Sequence, residues 1–201
     1  GCSGLTSVTI PNSVTSIGQS AFEGCSGLTS VVVDDGNTVY DSRNNCNAII
    51  ETATNTLHSG CKTTIIPNSV TSIGESAFSH CSGLTSVTIP NSVTSIGDGA
   101  FFGCSGLTSV TIPNSVTSIQ TNAFANCPEL LDVYCYAEKV PSTRSNAFDG
   151  SYPEYATLHV PDASVDSYKA KTPWSSFGKI VGLSGGEPEQ PEQPEVEKCA
   201  T

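Results

Sequence analysis

The chain is built from a sequence that repeats with a step of 23 residues. The seventeen residues CSGLTSVTIPNSVTSIG occur identically from Cys2 and from Cys81. The first sixteen of them recur from Cys104, and the first six recur from Cys25. A unit this short cannot bury an apolar face by itself, so neighbouring units must stack and share one elongated core. The repeat therefore predicts a solenoid.

Each repeat has the pattern of two short extended segments followed by a turn. Val110 and Ile112 alternate with a threonine, which is typical of a strand with one buried face. Pro113 ends that strand because it has no N–H to donate. Residues 116–119 predict a second extended segment, and residues 120–126 have the spacing of a single helical turn. Stacking predicts a curved, right-handed α/β repeat solenoid, with a parallel β-sheet on one face and short helical turns on the other.

Five of the nine cysteines fall at the same place in successive repeats. Equivalent side chains of stacked strands point the same way, about 5 Å apart, and this is not the geometry of a disulfide. Buried free cysteine behaves as a small apolar residue, so we expect a ladder of free thiols. The ladder consists of Cys2, Cys25, Cys81, Cys104 and Cys127.

The regular step is interrupted by a predicted β-hairpin insertion around residues 37–61. Two extended runs are joined there by the turn Thr-Ala-Thr-Asn, which is a hairpin pattern. Pairing of Glu51 with Thr56 would place Cys46 directly opposite Cys61. A cross-strand disulfide and a pair of core thiols are both compatible with that register.

Residues 156–183 have the pattern of a C-terminal cap. A stack of repeats needs an atypical end to cover its last apolar face, and Trp174 and Phe177 fit such a lid. The solenoid is therefore predicted to span residues 1–183.

The last part of the chain predicts no packed structure. Residues 184–198 are rich in Pro and Glu, which is typical of a linker, and residues 199–201 would begin a following domain. The chain contains no Met and begins inside a repeat, so we expect the native protein to extend in both directions.

The repeat pattern Leu-x-x-Val-x-Ile-Pro-x-x-Val-x-x-Ile-x-x-x-Ala-Phe-x-x-Cys resembles the leucine-rich repeats of the BspA-like bacterial surface proteins. The Ala-Phe pair near its end recurs at residues 21–22, 77–78, 100–101 and 123–124. The resemblance implies a leucine-rich-repeat solenoid in a cell-surface or secreted bacterial protein. Members of this family are associated with adhesion to host extracellular proteins and to other cells.

Composition and motifs argue against several classes of function. The formal net charge of −11 disfavours binding to nucleic acid or to anionic lipid. No apolar run approaches the roughly 20 residues of a membrane span, so we expect no membrane insertion. Residues 34–37 (Asp-Asp-Gly-Asn) resemble a Ca²⁺-binding loop in composition, but they lack EF-hand spacing and its distal Glu and predict a turn. The three histidines lie in different units and no catalytic motif is present, so we expect neither an enzyme nor a cofactor or metal.

The outward row of the strand face is the candidate binding surface. Thr88 and Thr111 present the same residue type in the middle of the chain, whereas Tyr134 and His159 make the C-terminal end aromatic, with Tyr136 close by. Aromatic side chains are favoured at binding hot spots, although tyrosine is also simply a good strand residue. The full row is Thr9, Val32, Ile65, Thr88, Thr111, Tyr134 and His159.

These observations predict a monomeric, non-catalytic adhesion module at the cell surface or outside the cell. Its expected partner is a host extracellular protein, another cell surface or a glycan. The alternative is a passive spacer that presents a neighbouring domain, because several repeats show identical outward residues.

Overall fold

The computed structural model describes residues 1–183, which form fourteen β-strands and one short α-helix. Four single 3₁₀ turns lie at Arg43–Asn45, Pro153–Tyr155, Asp162–Ser164 and Trp174–Ser176. The remaining elements, in chain order, are β1 (Ser7–Ile10), β2 (Ser30–Val33), β3 (Tyr40–Asp41), β4 (Ala48–Glu51), β5 (Thr56–Gly60), β6 (Ser72–Ile73), β7 (Ser86–Thr88), β8 (Ser95–Ile96), β9 (Ser109–Ile112), β10 (Ser118–Ile119), β11 (Asp132–Cys135), β12 (Ser142–Thr143), β13 (Thr157–Pro161), α1 (Val165–Lys169) and β14 (Lys179–Leu183).

The first strand of each later repeat belongs to one parallel sheet of five strands. Their order is β14-β13-β11-β9-β7. Strands β7, β9 and β11 pair at the step of the sequence repeat, and β13 and β14 of the cap continue the sheet in parallel. Val87 pairs with Val110, which pairs with Val133 and then Leu158, so equivalent apolar side chains meet in the core. The predicted solenoid of stacked parallel strands is confirmed.

The second extended segment of each repeat forms a separate parallel ladder. The two-residue strands β6, β8, β10 and β12 stack side by side in a seven-stranded sheet. In β10, Ile119 is buried and Ser118 is half-buried, as the alternation of a strand requires. The second segment predicted at 116–119 is thus present in the structure.

The third side of each coil consists of hydrogen-bonded turns, and a complete helical turn does not form in the repeats of residues 1–183. The reason is that backbone N–H groups in these turns donate to the next coil. Phe101 N–H donates to Ala123 O at 2.8 Å, and Phe124 N–H donates to Ala147 O at 2.8 Å. The phenylalanine rings consequently stack, with centroids 5.1 Å apart between Phe101 and Phe124.

The insertion is a three-stranded antiparallel meander of β3, β4 and β5. The predicted pairing of Glu51 with Thr56 is confirmed. A register shift after Ile49, however, places Ala48 opposite Gly60, so Cys46 does not lie opposite Cys61 as expected. Both cysteines are free and buried, so the disulfide alternative is not realised and the core-thiol alternative is.

This meander divides the core, and the expectation of one uninterrupted core is wrong. Strand β4 is buried on both faces: Ile49 packs into an N-terminal cluster, whereas Ala48 and Ile50 pack into the main cluster. The strand face is divided too, because β1 and β2 form their own two-stranded sheet. Ile65, which was expected in the outward row of the strand face, lies outside any strand and is 53% exposed.

The main core ends under a layer made by β13, α1, β14 and the turn around Trp174. Trp174 is fully buried, and its ring lies 5.4 Å from that of Phe148 in the last repeat turn. Tyr168 on α1 and Phe177 pack against the same indole. The lid role predicted for Trp174 and Phe177 agrees with these contacts. The predicted linker and following segment lie outside the described residues.

We expect the thiols of Cys81, Cys104 and Cys127 to resist alkylation until the protein unfolds. Cys104 Sγ–H donates to Phe78 O at 3.1 Å, and burial raises the pKa of Cys127 to about 11, so little reactive thiolate forms at neutral pH. Mass spectrometry after alkylation, with and without denaturant, measures this protection. The exposed Cys2 is the internal control and should react at once. A native disulfide between two of the buried three would contradict the ladder.

Candidate functional site

The five-stranded parallel sheet carries one continuous row of outward-pointing side chains. Thr88 lies beside Thr111, Thr111 beside Tyr134, and Tyr134 beside His159. The structure therefore brings together four of the residues that the sequence predicted. The residues that alternate with them in the same strands are apolar and buried in the core, so the four side chains point to the opposite face.

The aromatic end of the row is preorganised by stacking. The rings of Tyr134 and His159 are nearly parallel, with an interplanar angle of 10° and centroids 4.3 Å apart. His159 Nε2 lies 2.8 Å from Asp132 Oδ1, and because a carboxylate accepts, this nitrogen carries the proton. Asp132 thereby orients the imidazole, which becomes the cation of an ion pair when it is protonated.

Asp132 was not among the residues predicted from the sequence. It lies two positions before Tyr134 in β11, so both side chains point to the same face. The two-residue spacing from Tyr134 could have placed Asp132 on the outward face. Its hydrogen-bond partner His159, however, is 27 residues away in the next coil. Only the register between β11 and β13 brings the carboxylate to the imidazole.

Val181 extends the row by one strand and was also missed. It pairs with His159 in register and is 38% exposed, which makes it an apolar neighbour of the aromatic pair. The strand at residues 179–183 was expected, so counting outward positions along it could have identified this residue.

Tyr136 follows Tyr134 by two residues and lies just past the end of β11. Its backbone N–H donates to Ile112 O at 2.9 Å, which continues the pairing with the preceding coil, and its side chain is half-buried. We refer to Asp132, Tyr134, Tyr136, His159 and Val181 together as the C-terminal patch. The patch offers stacked rings, one carboxylate and one apolar side chain on a rigid sheet.

The middle and N-terminal parts of the predicted row differ from this patch. Thr88 is exposed and Thr111 is half-buried, and together with neighbouring serines they form a uniform hydroxyl surface. The expectation that Thr9, Val32 and Ile65 continue the same row is wrong, because the sheet is interrupted before β7. Val32 is 44% exposed on the separate N-terminal sheet.

The other two histidines make different contacts. His58 Nε2 lies 3.1 Å from Ile17 O and the ring contacts Tyr40 edge-on, whereas His80 Nδ1 lies 3.2 Å from a carboxylate oxygen of Glu23. Among residues 1–183, His, Cys, Asp and Glu form no group of three or more that could hold a metal ion. Within the same range, the structure contains no helix of the length and apolarity that crossing a membrane requires.

Comparison with known proteins points to one family. Residues 1–59 and 55–169 match the family described as "BspA type Leucine rich repeat region", with six copies of the repeat. No curated protein shows significant similarity to the chain.

Several solved bacterial structures share the fold. A leucine-rich cell surface protein of Faecalibacterium prausnitzii A2-165 is 27% identical with a TM-score of 0.64, and the match covers 92% of this chain and 49% of that protein. A leucine-rich repeat protein of Eubacterium ventriosum ATCC 27560 is 23% identical with a TM-score of 0.65, covering 89% and 49%. The pneumococcal vaccine antigen PcpA is 16% identical with a TM-score of 0.52, covering 90% and 56%. This chain thus spans about half the length of the first two.

Proposed function

Because the chain belongs to the BspA-type leucine-rich repeat family, we propose that it is a non-catalytic binding module of a bacterial surface or secreted protein. Similarity to a protein named as a leucine-rich cell surface protein supports that location. The proposed partner is a host extracellular protein, another cell surface or a glycan. Binding takes place at the C-terminal patch.

The observation that supports this site most is the parallel stack of Tyr134 and His159, with centroids 4.3 Å apart and Asp132 holding the imidazole. Rigid aromatic side chains supply large contact area at a low cost in conformational entropy, and they are enriched at binding hot spots. A partner that covers the patch would bury two ring edges and the exposed Val181 without reorganising them.

The carboxylate of Asp132 gives the patch a polar rim beside its aromatic centre. Its side chain is 42% exposed, whereas that of His159 is 21% exposed, so one carboxylate oxygen remains available to a partner. Donors such as sugar hydroxyls or backbone N–H groups would suit this oxygen. An aromatic centre with a polar rim is typical of recognition surfaces, and the net charge of −11 disfavours nucleic acid as the partner.

A passive spacer is the second candidate function, and one observation favours it. Ser86 and Thr88 in β7 are repeated as Ser109 and Thr111 in β9, so the central strand face shows no diversification from coil to coil. A receptor that recognises one detailed epitope would be expected to vary these positions. Recognition concentrated at the C-terminal patch is compatible with such a uniform centre, which is why we prefer the binding function.

The triple variant Tyr134→Ala/Tyr136→Ala/His159→Ala should weaken ligand binding by at least about ten-fold, since hot-spot truncations cost roughly 2 kcal/mol or more. Probes are a panel of immobilised host matrix proteins and a glycan array, followed by titration of the ligand found. The matched control is Thr88→Ala/Thr111→Ala, in the uniform centre of the same sheet, which should bind normally.

Thermal melts monitored by circular dichroism must show that the triple variant remains folded. Unchanged affinity in that variant, together with a loss on mutating exposed residues of the 46–61 hairpin, would move the site to the insertion. A neighbouring domain that binds while this chain binds no probe would favour the spacer.

A further inference from the structure

A second surface feature lies away from the strand face, between the last repeats and the cap. It is an open cleft of about 720 Å³. Residues 114, 116, 117 and 139–143 contribute from the repeats, and residues 170–172 contribute from the segment after α1. A volume of this size lies in the range of roughly 300–1,000 Å³ that is typical of small-ligand sites.

The charge of the cleft is opposite to that of the chain. The sequence carries 19 acidic and 8 basic residues, yet the charged residues lining the cleft are Lys139 and Lys171, with no Asp or Glu among them. Within residues 1–183, neither lysine takes part in a salt bridge. Both side chains are exposed, so two unpaired ammonium groups border one concave surface.

The rest of the lining combines hydroxyl groups with small apolar surfaces. Thr117, Ser142 and Thr172 contribute hydroxyl-bearing side chains, and the lining also includes the mostly buried Val140 and Pro141. Strand β12 is the terminal strand of its sheet, so its outer backbone groups have no neighbouring strand to bind. The cleft therefore provides both donors and acceptors next to its positive charge.

The base of the cleft is held rigid by the cap. Trp174 lines it while remaining fully buried, and its indole N–H donates to Thr143 Oγ1 at 3.1 Å. This bond joins the cap to β12, which forms one wall of the cleft. A preformed site loses less conformational entropy on binding than a mobile one.

We propose that this cleft binds an acidic saccharide, whose carboxylate or sulfate group pairs with the ammonium groups of Lys139 and Lys171. The hydroxyl and backbone groups of β12 would bind the sugar hydroxyls, and the small apolar surfaces would contact the ring. An acidic peptide shares the charge requirement, but the dense hydroxyl lining and the limited volume favour one or two sugar rings.

The test is a titration of the ¹⁵N-labelled chain with three saccharides at millimolar concentration: digalacturonate, a heparin-derived sulfated disaccharide and uncharged lactose. The acidic saccharides should shift the amide signals of residues 142–143 and 170–172 in a saturable way. Lactose should leave these signals unchanged. The double variant Lys139→Gln/Lys171→Gln should weaken binding about ten-fold or more.

The matched control is Lys62→Gln/Lys169→Gln, which removes the same charge outside the cleft and should bind normally. Equal losses in the two double variants would show general electrostatic attraction and would overturn the proposal. Absence of saturable shifts would overturn it as well, and so would binding of hexaglutamate in place of the saccharides.

This site is independent of the C-terminal patch. The triple variant at Tyr134, Tyr136 and His159 should therefore retain binding in the cleft. Loss of the saccharide signals in that variant while it remains folded would place the saccharide on the strand face instead.

Discussion

Replacing Phe101 with Ala should lower the free energy of unfolding by about 3–5 kcal/mol. The side chain is fully buried, and its ring stacks between those of Phe78 and Phe124, with centroid distances of 5.0 and 5.1 Å. Truncation would leave a cavity that three successive coils share, and turns tied by inter-coil hydrogen bonds cannot easily collapse into it. Urea unfolding followed by the fluorescence of Trp174, the chain's single tryptophan, measures the loss.

The matched control is Thr111→Ala in the same stack of coils. Its side chain points outward from β9 and contributes only to the half-buried hydroxyl surface. We expect a change of about 0.5 kcal/mol or less. Equal losses for the two substitutions would mean that the inward and outward faces have been interchanged.

Replacing Trp174 with Ala should also cost about 3–5 kcal/mol, because it removes the largest buried side chain of the cap. The indole contacts Phe148 in the last turn and Tyr168 on α1, with ring centroids 5.4 and 5.3 Å away. Stability in a repeat stack depends on contacts between neighbours, so loss of the cap exposes the last coil to water. Circular dichroism measures the change in unfolding, and hydrogen exchange shows where protection is lost.

A conservative variant separates packing from hydrogen bonding at this position. Trp174→Phe keeps an aromatic ring but removes the N–H that donates to Thr143, so we expect a loss closer to about 1 kcal/mol. Protection in the cap should decrease much more in the Ala variant than in the Phe variant. If Trp174→Ala left both stability and exchange unchanged, the lid role of this side chain would be refuted.

The regular part of the molecule could be predicted from the sequence in detail. Val87, Val110 and Val133 recur at a constant step, and they pair in register because identical units have the same lowest-energy way to stack. The constant repeat step also predicted that Thr88, Thr111 and Tyr134 lie in one outward row. The sequence also predicted that the ladder cysteines are free thiols, because equivalent side chains of stacked coils do not have the geometry of a disulfide.

The insertion could not be predicted to the same depth. The pairing of Glu51 with Thr56 followed from the turn, but the register shift after Ile49 did not. Successive residues of β4 point to opposite faces, so Ile49 and Ile50 are buried in two different cores, which distant repeats contribute. No local sequence pattern contains this information, and the prediction that Cys46 lies directly opposite Cys61 was therefore wrong.

The candidate site shows the same division between local and non-local information. The sequence alone determined the solenoid, its inward and outward faces and the aromatic character of one end, because all three follow from a fixed repeat step and the period of two along a strand. Only the tertiary structure decided that Asp132 meets His159 and that Lys139 and Lys171 border one cleft. These contacts join residues more than twenty positions apart in coils whose sequences have diverged, so only the packed register of the cap against the last repeats could create them.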